Sequence, residues 1–156
     1  MAKVNDTQKA EMLGSMLAPG ESYSVTAYAS TVPTVNVFSM FGAIGVLIGE
    51  LLDDTGFKTV HSAYVGVTDN YLNVVVLNGF SKGKIKSSMR FNFTEVTDLK
   101  VTEKKSCTLI NVKTGNKSYN LQVPKKVIGA KLATQSEDFA MLATKLNEVL
   151  ARFKVA

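Results

Sequence analysis

Hydrophobic residues near the C-terminus recur at intervals of three and four, which is the period of an α-helix with one buried face. They lie in residues 134–153, where polar residues occupy the opposite side of the helix. Thr134 and Glu137 have the spacing of a capping box, which begins a helix by satisfying its first free amides. We therefore expect one amphipathic helix packed against a sheet through Phe139, Leu142, Ala143, Leu146, Val149, Leu150 and Phe153.

The middle of the chain alternates apolar and polar residues with a period of two, which predicts β-strands. The predicted strands are residues 22–31, 59–67, 71–77, 82–93, 95–102, 108–112 and 118–123, joined by short polar turns. In the fourth strand, the residues expected to face the core are Ile85, Met89, Phe91 and Phe93. A short helix over residues 6–17, capped by Asn5 or Asp6, precedes the strands. The pattern predicts a mainly β fold with about seven antiparallel strands and a helix at each end.

One apolar segment, residues 35–52, does not fit this alternation, because it has no charged residue before Glu50. It is shorter than the about 20 apolar residues that a membrane-spanning helix needs. Gly42, Gly45 and Gly49 would give a helix a strip without side chains, which lets another backbone approach closely. The alternatives are packing on this domain or on a copy of it, shallow insertion into a membrane interface, and a flexible loop.

Among these alternatives we favour self-association, because a sheet and a terminal helix already cover one another and leave the apolar segment without a partner. The residues expected to make the contact are Phe38, Phe41, Ile44, Leu47, Ile48 and Leu51. The alternative function is a peripheral membrane module that inserts residues 37–52 into the lipid interface.

Basic residues alternate along the fourth predicted strand, at Lys82, Lys84, Lys86 and Arg90. If the alternation is regular, they project together, either as a solvated strand face or as a surface for an anionic partner. The formal net charge of +5, from 18 basic and 13 acidic residues, agrees with both interpretations. Phe91 and Phe93 fall on the face opposite Arg90, so the strand does not favour a nucleic-acid platform.

The residue types that carry catalysis or metal binding are scarce. The chain has one histidine, His61, and one cysteine, Cys107, which excludes clustered zinc ligands and makes a catalytic pair a poor interpretation of two strand residues. No phosphate-loop spacing occurs, and Asp53 and Asp54 lack the further oxygen ligands of a calcium loop. We therefore expect a protein that is not an enzyme and takes no cofactor or metal.

The single cysteine and the absence of a signal-peptide pattern at the N-terminus favour a cytoplasmic location, with membrane association under the alternative function. The length of 156 residues suits one domain, with residues 1–20 as a helical extension and residues 35–52 as an insert between the first two strands.

The order of these elements resembles that of the bacterial pleckstrin-homology-like family. Three segments carry the resemblance, which covers roughly residues 20–153: residues 64–72, 91–99 and 119–124. It implies two nearly orthogonal antiparallel sheets, closed at one end by the C-terminal helix, and a protein or peptide partner. In relatives that bind phosphoinositides, basic residues around the loop between the first two strands hold the headgroup. Here that loop, residues 32–58, is apolar with Lys58 alone at its end, so this site is not carried over.

Overall fold

The structure is a computed structural model that describes residues 4–32, 60–78, 84–115, 117–127 and 130–153. Within these ranges the chain forms two helices, α1 (Asp6–Gly14) and α2 (Gln135–Phe153). Seven strands lie between them: β1 (Val25–Val32), β2 (Ser62–Val67), β3 (Tyr71–Leu77), β4 (Ile85–Asn92), β5 (Asp98–Glu103), β6 (Cys107–Thr114) and β7 (Lys117–Pro124). All neighbours are antiparallel, in the order β4-β3-β2-β1-β7-β6-β5. The predicted mainly β fold is confirmed.

The sheet folds back on itself, so that its two halves face each other. β4 and β7 are four strands apart in the sheet, which in a flat sheet is about 19 Å. Yet the rings of Phe91 on β4 and Tyr119 on β7 have centroids 5.2 Å apart. β1 joins the halves, because it pairs with β2 over residues 25–30 and with β7 over residues 30–32.

Helix α2 closes the space between the two halves. Leu142, Leu146 and Val149 are buried in the same apolar cluster as residues from all seven strands, and Ala143 is also buried. The ring of Phe153, in the last turn of α2, packs on Phe93, with centroids 5.9 Å apart. The predicted apolar stripe is therefore confirmed as the main contribution of α2 to the core.

A second, smaller core lies on the other face of β2 and β3, beneath α1. Its buried residues are Val4, Leu13, Tyr64, Val75 and Leu77. Buried hydroxyl and amide groups hold α1 there: Tyr64 donates a hydrogen bond to Gln8, and the amide of Asn5 donates to Tyr64 Oη at 3.3 Å. Burial is the main reason that the pKa of Tyr64 is raised to about 12.

Helix α2 has the predicted bounds, with Thr134 just before its first residue, whereas α1 ends earlier than predicted. Asn5 caps α1 by accepting from the amide of Gln8 at 2.8 Å, as predicted, but the α-helix ends at Gly14, three residues before the predicted end. The backbone hydrogen bonds that follow, from Met16 to Leu13 and from Leu17 to Gly14, join residues three apart, as in a 3₁₀ turn. At the start of α2, the Thr134 hydroxyl donates to Asp138 at 2.7 Å, and the same carboxylate oxygen lies 3.2 Å from Nζ of the buried Lys9.

The predicted core position of Ile85 is wrong, since this side chain is 45% exposed. The register between β3 and β4 shifts near Val76 and Leu77: Leu77 lies opposite Ile85, but Val76 lies opposite Ser87. The extra residue is a β-bulge, and one extra residue reverses which face every preceding side chain occupies. Beyond the bulge, Phe91 and Phe93 are buried as predicted.

Candidate functional site

Strand β5 lies at one end of the sheet order, and no strand in the described ranges pairs with its outer edge. The amide of Lys104 donates to the carbonyl of Cys107 at 2.8 Å, so these two residues form a hydrogen-bonded pair at the end of the β5–β6 ladder. In an antiparallel pair, residues bond to the partner strand at every second position. The β5 residues that bond to β6 are therefore Asp98, Lys100 and Thr102. The backbone groups of Leu99 and Val101 consequently face away from the sheet, toward the open edge.

An apolar cavity of about 130 Å³ lies beside the start of β5, against the C-terminal half of α2. Three of its lining side chains, Phe93, Leu99 and Val149, are 7% exposed and belong to the main core. The complete lining is Phe93, Val96, Thr97, Asp98, Leu99, Val149, Leu150 and Phe153. We call this cavity, together with the outer edge of β5, the β5–α2 groove.

A second cavity, of about 170 Å³, shares Val149 with the first and is otherwise lined largely by charged and polar side chains. Arg152 donates a hydrogen bond to the carbonyl of Asp69 in the β2–β3 turn, and Lys145 lies 3.4 Å from Glu148. The lining contains two basic side chains, Lys145 and Arg152, and two acidic ones, Asp69 and Glu148, so the cavity presents no excess charge of one sign to a ligand.

The dimensions of the β5–α2 groove indicate the kind of ligand that it accepts. Cavities for small molecules are usually about 300 to 1,000 Å³, so 130 Å³ suits a single apolar side chain. An open strand edge offers backbone donors and acceptors to another extended chain. A strand edge beside a pocket for alternate side chains is the arrangement by which sheets bind peptides through strand addition.

The six residues predicted for self-association or membrane contact, Phe38, Phe41, Ile44, Leu47, Ile48 and Leu51, lie outside the described residues. Lys82 also lies outside them. Self-association and membrane insertion through these residues therefore stay predictions from the sequence.

The remaining members of the predicted basic face do not form one row. Arg90 forms a bidentate ion pair with Glu21, at 2.9 Å to each oxygen, and its guanidinium lies 3.9 Å from the ring centroid of Tyr71. Because the bulge lies between Lys84 and Arg90, regular alternation no longer places these two side chains on one face. Arg90 thus joins the segment after α1 to the sheet.

Lys84 and Lys86 are exposed, and Nζ of Lys86 lies 3.1 Å from Nε2 of His61. Burial and the neighbouring positive charge of Lys86 both lower the pKa of His61, in that order of importance. The role of Lys84 and Lys86 toward an anionic partner stays a prediction.

Sequence reasoning missed the β5–α2 groove, although its parts were recognised separately. Leu150 and Phe153 were assigned to the core stripe of α2, but they are only partly buried and line the cavity. Val96 and Thr97 were assigned to a strand, whereas they form the turn that walls the cavity before β5.

Neither a cluster of metal ligands nor a membrane-spanning helix occurs within the described ranges. No three His, Cys, Asp or Glu side chains there are grouped so as to hold a metal ion. None of the helices formed by those residues is long and apolar enough to cross a membrane.

No protein-family model and no curated protein matches this sequence. Among solved structures, the C-terminal domain of an unknown protein from Leishmania infantum is 12% identical, with 88% of this chain and 91% of that chain covered and a TM-score of 0.42. The hSac2 domain from human phosphoinositide phosphatase Sac2 is 11% identical, with coverages of 98% and 85% and a TM-score of 0.48. The PDZ-RhoGEF DH/PH domains, solved in complex with activated RhoA, are 10% identical, with coverages of 97% and 37% and a TM-score of 0.45.

All three TM-scores lie below 0.5, so none of these likenesses supports an argument about ligands. The chain spans about a third of the PDZ-RhoGEF chain that it matches. Two of these structures come from Leishmania infantum and human, which are not bacteria. The resemblance to the bacterial branch of the pleckstrin-homology-like family therefore stays a prediction. The strand order, the folded sheet and the closing helix α2 agree with the architecture that the resemblance implies. The chain has a mainly β, pleckstrin-homology-like fold.

Proposed function

We propose that this chain is a non-catalytic binding module that takes an extended peptide by adding it as a strand to β5. The observation that carries the proposal is the outward direction of the Leu99 and Val101 backbone groups, directly beside an apolar cavity. Backbone hydrogen bonds to the edge would supply affinity, and the cavity would select one apolar side chain of the peptide.

The shape of the groove supports this assignment over a small-molecule site. Its floor consists of side chains that the main core already holds in place, such as Phe93 and Leu99. A preformed floor lowers the ordering cost of binding. Thr97 and Asp98 add polar groups at the mouth, where a peptide backbone would pass.

The test begins with peptides selected from a phage-displayed random library against the immobilised protein. Affinities of the selected peptides are then compared for wild type, Val101→Pro and Val101→Ala. Both variants lose the valine side chain, but only proline removes the outward amide, and edge strands tolerate proline. We expect Val101→Pro to bind at least about tenfold more weakly than Val101→Ala, because one backbone hydrogen bond and the fit of the edge are lost. Equal affinities for the two variants would refute strand addition.

The cavity is tested separately with Val96→Phe, which adds bulk at a half-buried lining residue. We expect selected peptides to share one apolar position and to bind this variant about tenfold more weakly. Peptides without a common apolar residue, bound equally by wild type and variant, would show that the cavity is not used.

Self-association through residues 37–52 is a separate proposal that rests on the sequence alone. It predicts that wild-type protein forms an oligomer at micromolar concentration and that the double variant Ile48→Asp, Leu51→Asp is a folded monomer. A monomeric wild type, measured by light scattering without detergent, would contradict it. Loss of vesicle binding in the same double variant would then favour membrane insertion of this segment.

A further inference from the structure

Four lysines that are distant in the sequence meet at the end of the β5–β6 hairpin. Lys104 and Lys105 form part of the turn between β5 and β6, and Lys125 and Lys126 follow β7. The amide of Lys125 donates to the carbonyl of Ser106 at 2.9 Å, which holds the two segments side by side. Each of the four lysines is within two residues of this bond, or roughly 8 Å along the chain. We call them the hairpin lysines.

The hairpin lysines are all exposed, and none of them forms an ion pair with another described residue. The nearest acidic residue in the sequence is Glu103, the last residue of β5, so the local balance is four positive charges against one negative. Arg90 and Lys9, by contrast, are both neutralised by carboxylates. Among the described residues, the hairpin lysines are therefore a concentration of positive charge without ion-paired carboxylates, on a protein with a net charge of +5.

The chemistry of this cluster favours a broad anionic surface over a shaped ligand. Neither described cavity is lined by any of the four lysines. Residues 103–107 and 124–127 contain no arginine for bidentate phosphate contacts and no aromatic residue for stacking on bases. Lysine acts as a mobile point charge, which suits the diffuse potential of anionic lipid headgroups.

We propose that the hairpin lysines attach this domain electrostatically to bilayers that contain anionic lipids. The attachment is independent of the β5–α2 groove and does not require insertion of apolar residues. Basic residues close to such a surface act additively, and their effect extends only over about a Debye length, near 8 Å at physiological ionic strength.

The proposal is tested by flotation of the full chain with two kinds of vesicle. One contains phosphatidylcholine alone, and the other contains about 30% phosphatidylserine in phosphatidylcholine. The variant is Lys104→Glu, Lys125→Glu, which reverses one charge in each segment. The control is Lys113→Glu, Lys117→Glu, an equal charge change at two exposed residues of the β6–β7 hairpin, about 20 Å along β6 from the cluster. Thermal unfolding of both variants establishes that they are folded.

We expect wild type to bind only the anionic vesicles. Its partition coefficient should fall at least about tenfold between low and high salt. The charge reversals at Lys104 and Lys125 should lower the partition coefficient at least about tenfold, whereas the control reversals should lower it less than about threefold. Equal losses of vesicle binding in both variants would show that only the net charge matters, and would overturn the proposal. Salt-independent binding to phosphatidylcholine vesicles would overturn it in favour of apolar insertion.

The same variants also distinguish a nucleic-acid partner from an anionic membrane. Duplex DNA is added as a competitor, and its affinity for wild type and for Lys104→Glu, Lys125→Glu is measured. If DNA binding depends on these lysines while vesicle binding does not, the cluster serves nucleic acid and the proposal is wrong. Peptide affinity at the β5–α2 groove is expected to be unchanged in this variant, which separates the two proposals.

Discussion

The two halves of the folded sheet are covered to different extents. β2 and β3 are buried on both faces, by the main core on one side and by α1 on the other. In the half formed by β5, β6 and β7, only the inner face is buried in this way. On its outer face Asn111 donates to Asn120 at 2.7 Å, and both side chains remain half-exposed.

This difference shows where the chain has room for partners. In the covered half, Tyr23 donates to the Leu13 carbonyl at 2.5 Å and accepts from Asn73 Nδ2 at 3.0 Å, while Asn73 Oδ1 is buried without a hydrogen-bond partner among the described residues. Within the described ranges, each half ends in an open strand, β4 in one and β5 in the other, but the apolar cavity lies beside β5, and the hairpin lysines lie in the same half. We therefore assign structural roles to the covered half and binding to the β5–β7 half.

The largest effect on stability is expected where α2 closes both halves. Leu146→Ala removes a fully buried side chain from the main core and should lower the free energy of unfolding by about 2 to 5 kcal/mol. Met141→Ala, on the exposed side of the same helix, is the matched control and should change it by less than about 1 kcal/mol. Urea denaturation measures both, and similar losses would mean that α2 is not held through its stripe.

The next effect concerns the close packing of the covered half. A Cβ added at Gly66 would lie 2.4 Å from Cε1 of Tyr23, whose hydroxyl is fixed by Leu13 and Asn73. Gly66→Ala should therefore lower the free energy of unfolding by up to about 3 kcal/mol. Gly14→Ala, where a Cβ meets nothing within 4 Å, should be neutral or slightly stabilising. A neutral Gly66→Ala would show that Tyr23 moves freely.

The buried hydroxyl of Tyr64 predicts a loss of stability at high pH. Its pKa is raised from 10.0 to about 12 in the folded protein, so the folded state retains the proton more strongly than the unfolded state. Its contribution is complete below pH 10 and is lost as the pH rises from 10 to 12, by on the order of 2 kcal/mol. Tyr64→Phe lacks this titration, so the difference in unfolding free energy between the two proteins should shrink over that range. A constant difference would contradict the raised pKa.

The smallest effect is expected on the open face of the β5–β7 half. Lys100 is exposed on β5, with no ion pair to another described residue. Lys100→Ala should change the free energy of unfolding by no more than about 0.5 kcal/mol. A loss above about 1 kcal/mol would show that this face is structurally engaged and would weaken the contrast between the halves.

Much of the architecture could be predicted because local patterns specify it. The seven strands, the stripe of α2 and the cap at Asn5 follow from alternation, helical spacing and capping chemistry, which involve neighbouring residues. The reversed position of Ile85 could not be predicted, because one extra residue in β4 leaves no compositional mark.

The candidate sites depend on contacts between distant segments, which periodicity does not contain. The hairpin lysines meet only because Cys107 pairs with Pro124, which places the two segments together. The β5–α2 groove requires β5 to be an edge strand, and that follows from the strand order rather than from the composition of β5. The residues of the apolar insert were prominent in the sequence, but their part in function is still a prediction.

The most direct test of the assignment of binding to the β5–β7 half is amide hydrogen exchange at Leu99 and Val101, with and without a selected peptide. These amides face the open edge, so exchange should be fast in the free protein and slowed at least about tenfold in the complex. The amide of Lys100, already bonded to β6, should change much less. Protection that appears elsewhere while Leu99 and Val101 continue to exchange freely would contradict strand addition at β5.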